Sequence, residues 1–424
     1  MVKKTSILYY IIMLLILISW NNPEALPPLP FRLVFLVLLI GPMLLQKSKL
    51  LPFVLLTFVV ISASSYAVSY MPVDGLYLFI TCLLSSLILG LKNSNFGLSI
   101  PYSFIVLITL SFVLDFLYSE SITISYCWLV VILISRFFIE KNNNKYLQIA
   151  AFSFAVISIV LSIEFLTVGD KFVRDVHTVL GDLDRKGWTD PNYFGSVIGM
   201  GILISLIEII HYRNNVRLKA FYLLTFILSI YTLISTASRG ATVALFVAII
   251  ALLFFSKVQF KYKTCAFLFV VVLLIVMYQL HMLDLLLIRF FSDEGDLGGR
   301  EYIWKIRLSH FISDLNIFQW LFGIGKDQAL TLGTGRVLGF HNDFLAVLVS
   351  YGFIGLGCLI SMLIYPIRNA NKRNRPIVFT LIIYISLCMC SIEPFSGGQW
   401  GCLYFYIFIL MLNQIRNEEN TVRY

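Results

Sequence analysis

Charge is what this sequence has least of. Only 13% of its 424 residues are Asp, Glu, Lys or Arg, against 59% hydrophobic, and the mean hydropathy is +0.88. That shortage excludes a soluble globular chain. Alternation is missing too: the apolar runs are continuous over roughly 17–25 residues, span length for a helix, which excludes a transmembrane β-barrel. Cysteine is sparse and unpaired in pattern. Cys82, Cys127, Cys265, Cys358, Cys388, Cys390 and Cys402 lie in or beside apolar runs, so neither a disulfide framework nor a zinc site is indicated. Cys388 and Cys390 read as lipid- or bundle-facing residues rather than a ligand pair. The opening "MVKKTSILYYIIMLLILISW" lacks a small-x-small cleavage site before "NNPEALPPLP", so it reads as an uncleaved first span.

What is present is a single all-α polytopic membrane domain over 1–424 with 12–14 transmembrane helices. The spans are placed near 6–20, 31–46, 50–70, 75–91, 99–118, 123–139, 146–167, 191–211, 218–235, 240–256, 263–281, 341–366, 376–391 and 400–415. With both termini inside, the inner segments "MVKK", "QKSK", "LKNSN", "EKNNNK", "HYRNNVRLK", "SKVQFKYK", "RNANKRNRP" and "NQIRNEENTVRY" all carry Lys or Arg. The outer connections "NNPEALPP", "MPVDG", "YSES" and "EPFSGGQ" carry none, as the positive-inside rule requires. The net charge of +9 is therefore an orientation signal and does not point to nucleic acid.

Basic residues break this rule at three outer places: the loop 168–190, the turn "STASRGA", and the long loop 282–340. Long outer loops tolerate such charges, and an anionic ligand at that face gives them a reason. The midplanes are nearly free of charge, with Asp115 and Glu164 toward outer helix ends and Arg136 toward an inner end. A coupled transporter keeps ionisable groups at the midplane, so the pattern favours chemistry at one surface.

Three segments carry that chemistry. "STASRGATVALF" puts Arg239 where a helix emerges, and "GDLGGREYIWKIRLSHF" puts Arg300 at the start of an amphipathic helix. The apolar face of that helix is expected to be Tyr302, Ile303, Ile306, Leu308, Phe311 and Ile312. "GFHNDFL" puts His341 where the chain re-enters the membrane. Asn342 or Asp343 can cap that helix, which needs no further function, but a cap does not need imidazole. Arginine's planar fork suits a diphosphate, and histidine suits proton removal from a hydroxyl. Two arginines and one base suffice to transfer a sugar from a lipid diphosphate by single displacement with inversion, without a protein nucleophile. The positive partial charge at the helix start adds to the hold on the diphosphate.

Other residues have plainer explanations beside functional ones. "DLD" (Asp182–Asp184) matches a metal-holding acidic pair but is common by chance and is followed by Arg185 and Lys186. "DPNYFG" reads first as helix-start chemistry, although Asp190 and Asn192 can also line the site. Glu393 is the only acid on "EPFSGGQ" and can orient His341 or bind acceptor sugar. Trp188, Trp304, Trp320 and Trp400 fit an interfacial aromatic belt. Two rival classes remain: a lipid-linked sugar flippase or exporter, which needs a basic cavity through the bundle, and a structural assembly partner, which tolerates loss of Arg239, Arg300 and His341.

The order and spacing of "SRGA", "GREYIW", "FGIG" and "HNDFLAVLVSYGFIG", with Arg239, Arg300, His341, Asn342, Gly352 and Gly355, resemble the O-antigen ligase/O-antigen polymerase superfamily across about residues 190–366. The resemblance implies a GT-C-like glycosyltransferase of the bacterial inner membrane, with cytoplasmic termini and a periplasmic active site. It implies undecaprenyl-diphosphate-linked glycans as donor and acceptor, no metal or other cofactor, and a chain-length regulator and flippase as partners. Arg239 and Arg300 then bind the diphosphate, and His341 is the base or positions the acceptor. Where many relatives carry Asp on the late loop, this chain has Glu393. Polymerase and ligase share this chemistry. The divergent, Phe- and Ile-rich chain favours the polymerase of a strain-specific glycan, with the ligase as alternative.

Overall fold

A computed structural model describes residues 99–118, 144–168, 191–212, 215–236, 238–256, 259–279, parts of 281–287, 300–393, 395–396 and 400–414. The expected spans 6–20, 31–46, 50–70, 75–91 and 123–139 lie outside the described residues, as do Arg136 and the loop from 169 through Asp190.

Every regular element among the described residues is helical. In chain order these are α1 (Tyr102–Tyr118), α2 (Asn144–Val168), α3 (Pro191–Ile207, continued by a π turn Glu208–Tyr212), α4 (Val216–Ser235), α5 (Arg239–Phe255) and α6 (Phe260–Gln279). After them come α7 (Arg300–Ser313), α8 (Ile317–Phe322), α9 (Lys326–Thr331), α10 (Asp343–Asn369), α11 (Arg375–Met389) and α12 (Trp400–Gln414). Among the described residues, three stretches are long and apolar enough to cross a membrane: Asn192–Ile210, Val216–Ser235 and Asp343–Asn369. α10 has 27 residues in two pieces, 343–351 and 353–369, and the longer piece is about 25 Å long. The protein is an all-α polytopic membrane protein.

Apolar runs dictate these helices, but lipid is as apolar as leucine, so small residues and interhelical hydrogen bonds decide how they associate. On α5 the buried stripe Ala241, Ala244, Ala248 and Leu252 turns toward α11 and α3. On α3, Gly199 leaves room for the Tyr384 hydroxyl of α11, which a Cβ there would meet at 2.1 Å. That hydroxyl donates to the Ser196 carbonyl at 2.7 Å. The α3–α5–α11 packing brings one end of each helix to the same end of the bundle.

The span α10 is not continuous. At Gly352 the backbone turns to φ 67°, ψ −168°, splitting the helix after nine residues. The turn "FGIG" between α8 and α9 fills the gap: Gly325 N–H donates to the Ser350 carbonyl at 2.9 Å, and Ile324 N–H to the Val349 carbonyl at 3.4 Å. Irregular backbone inside a span is tolerated where protein groups satisfy it in this way. The upper piece of α10 thereby becomes a short helix with a capped C-terminal end and His341–Asn342 leading into its start.

Candidate functional site

The connection between α11 and α12 gathers the candidate side chains at Ser391, Glu393 and Phe395–Ser396. Ser391 is the first point of attachment. Its carbonyl accepts from Nη1 of Arg300, the first residue of α7, at 2.9 Å. Against its side chain lies Gly240, in the first turn of α5, where a Cβ would come within 2.3 Å of the Ser391 Oγ. Arg239 opens the same turn of α5, next to the glycine that packs on Ser391. Ser238, at the N-cap position of α5, makes no capping bond with its side chain; the hydroxyl donates instead to Asn192 Oδ1 at the start of α3, at 3.1 Å.

Glu393 is the second point. Its Oε1 accepts the backbone N–H of His341 at 2.5 Å. His341 sits at φ +51°, a left-handed backbone uncommon for a side chain this bulky. Tyr193 of α3 fixes the Glu393 backbone from the other side, its hydroxyl accepting the Glu393 N–H at 3.2 Å. A Cβ on Gly339 would stand 3.1 Å from Glu393 Oε1 and 3.8 Å from His341 Nε2, so carboxylate and imidazole flank the same glycine.

The third point is Phe395–Ser396. Their backbone N–H groups donate to the two carboxylate oxygens of Asp343 at 2.7 and 2.8 Å, and the Ser396 hydroxyl donates to it as well. Asp343 is fully buried. Of the two possible caps it is Asn342 that acts, accepting Leu345 N–H at 3.0 Å. Lys326 of α9 closes the ring, its ammonium donating to the Ser396 carbonyl at 3.2 Å and its backbone N–H to Asp115 of α1 at 3.4 Å. One connection therefore holds α1, α3, α5, α7, α9 and α10 in register around Arg239, Arg300 and His341.

Residues 224–360 match the family model described as O-antigen ligase. Over that segment, about a third of the chain, it is similar to the O-antigen ligase/polymerase superfamily. No curated protein matches the chain. The matched O-antigen ligase segment contains Arg239, Arg300, His341 and Asn342. Asn192 and Glu393 fall outside it, yet the fold brings each into contact with a residue inside it. Asp190 and the "DLD" acids lie outside the described residues.

Sequence reasoning missed Arg307. On α7, Arg307 and Phe311 are the buried residues, Ile303 and Ile306 are half-buried, and Tyr302, Leu308 and Ile312 face outward. Arg307 is 0% exposed. Its guanidinium donates to the carbonyls of Ala329, Leu330 (2.7 Å) and Leu338 (2.6 Å), and lies 4.1 Å from the centre of the Phe340 ring. Burial pushes its pKa below the ordinary arginine value, while the negative charge of Glu393 holds it up. Beside it the Trp304 indole donates to the Phe340 carbonyl at 2.7 Å. Trp304 and Trp320 each spend their N–H on a backbone carbonyl, so these two are anchors of the α7–α10 passage rather than plain belt residues.

Proposed function

We propose that this protein is the polymerase of a surface glycan, joining undecaprenyl-diphosphate-linked repeat units at the periplasmic face of the inner membrane. The family is one of glycosyltransferase-like enzymes; donor, acceptor and side of the membrane are our reading. One observation carries it: Arg300 binds the Ser391 carbonyl and Gly240, the neighbour of Arg239, packs on the Ser391 side chain, two residues from the Glu393 that holds His341.

In this reading Arg239 and Arg300 grip the donor diphosphate with forked, permanently charged donors. His341 takes the proton from an acceptor sugar hydroxyl. The freed oxygen forms its bond to the anomeric carbon as the bond from that carbon to the diphosphate oxygen breaks, and the configuration inverts. The electron pair leaves on undecaprenyl diphosphate, where the arginines and the start of α10 offset the charge. Asn192 and Glu393 position the arginine-bearing turn and the histidine, and no protein nucleophile or metal enters.

The description of the matching family favours a second reading, a ligase that passes finished glycan to lipid A-core. The site chemistry is common to both. The lipopolysaccharide pattern of a deletion strain complemented with wild type or His341→Ala decides. Core bearing a single repeat unit, with the ladder lost, supports the polymerase. Bare core with long glycan left on the carrier supports the ligase. An unchanged pattern with His341→Ala sinks both, and export that fails with joining intact supports a flippase.

A further inference from the structure

We infer that Arg307 is a positioning residue for His341, acting through the chain segment that delivers the histidine and through Glu393; this rests on the reading of His341 as the base.

The route from α9 to α10 is irregular and includes exposed Val337 and Leu338. Such a stretch does not place a catalytic ring by itself. Arg307 fastens it at three carbonyls, those of Ala329, Leu330 and Leu338, and at the Phe340 ring, the residue before His341. Burying a guanidinium completely is costly, and mere chain fastening is achievable with a neutral amide. The charge has a use in its neighbourhood. Glu393 is nearly buried, holds the left-handed backbone of His341 in place, and its negative charge acts on Arg307. Arg307 therefore supplies two things together, a fork for carbonyls and a cation for the carboxylate.

The test uses the full-length protein in detergent or liposomes, with glycan transfer from a lipid-diphosphate donor followed across pH for wild type, Arg307→Met, Arg307→Lys and His341→Ala. In parallel, modification of His341 by diethyl pyrocarbonate is followed across the same range and needs no turnover. Arg307→Met is expected to lower transfer per folded molecule by about 100-fold, the scale of a small misplacement at a reacting centre. It should also change the rate at which His341 is modified. Arg307→Lys keeps the charge but not the fork that fastens three carbonyls, so the rate stays reduced and His341 modification stays altered. Wild-type rate and wild-type His341 modification in both variants, or lost thermal stability with unchanged rate per folded molecule, overturns the inference. If Arg307→Met does not fold, Arg307→Lys at full rate overturns it alone. A His341→Ala protein that transfers glycan normally removes the base reading instead, and the modification profile still reports whether Arg307 positions the ring.

Discussion

The backbone N–H of His341 donates to Glu393 Oε1 at 2.5 Å across 52 residues of sequence, and this bond holds His341 at φ +51°. In the proposed reading, a base on a strained backbone, kept there by a buried carboxylate, separates stability from activity at one position.

His341→Gly and His341→Ala should differ in stability and agree in activity. A left-handed residue with a Cβ costs about 1–2 kcal/mol relative to glycine. The glycine variant is expected to be the more thermostable by about 1 kcal/mol, while neither transfers glycan. Thermal unfolding in detergent beside a transfer assay measures both. A glycine variant less stable than the alanine variant would contradict the strain.

Glu393→Gln keeps an oxygen for the His341 N–H and loses the charge facing Arg307. Glu393→Ala loses both. Hydrogen bonds to charged groups contribute about 1.5–3 kcal/mol, so Glu393→Ala should unfold more easily by that order and Glu393→Gln by less. Transfer should fall in the same order. Equal rates for wild type and Glu393→Ala would remove Glu393 from the site.

Gly240→Ala should act on an arginine it does not touch. Its new methyl meets Ser391 Oγ and Cβ at 2.3 and 2.6 Å and displaces the residue whose carbonyl accepts from Arg300. Transfer is expected to fall mainly through weaker donor binding, a higher donor KM. Ser391→Gly removes the obstructing side chain and should restore the double variant toward wild type. Failure of that suppression would mean that Gly240 matters for another reason.

Gly352→Ala should be poorly tolerated. A Cβ there meets the Leu321 carbonyl oxygen at 2.3 Å, and φ 67° disfavours any side chain. Neither neighbour is a flexible side-chain end, so the expected cost is at least about 2 kcal/mol, seen as a lower melting temperature and lower yield. Wild-type stability would mean that the break in α10 is not needed.

Local patterns were legible, long-range ones were not. The apolar run 344–366 announced α10, and Arg239, Arg300 and His341 stood out as polar residues at apolar boundaries. Glu393 was visible as a lone acid in its connection. Asp343 looked like half of a helix cap, yet its carboxylate serves N–H groups 52 and 53 residues away. Arg307 looked like one polar position on an amphipathic helix, although its acceptors lie 22 to 31 residues further on. Tyr193 reaches across 200 residues. Hydrophobic periodicity reports which way a helix faces lipid or protein, and carries no record of which carbonyl a buried donor will find.

The seam at Gly352 also bears on recombination between relatives. Because "FGIG" supplies the N–H groups that finish the upper piece of α10, the stretch from α7 to Tyr351 is a cassette with a natural cut at the break. Chimeras joined there should keep the lower piece of α10 with its own bundle. The cassette still docks on Ser391, Glu393 and Ser396, so a transplant that leaves this short connection behind carries the histidine without its footing.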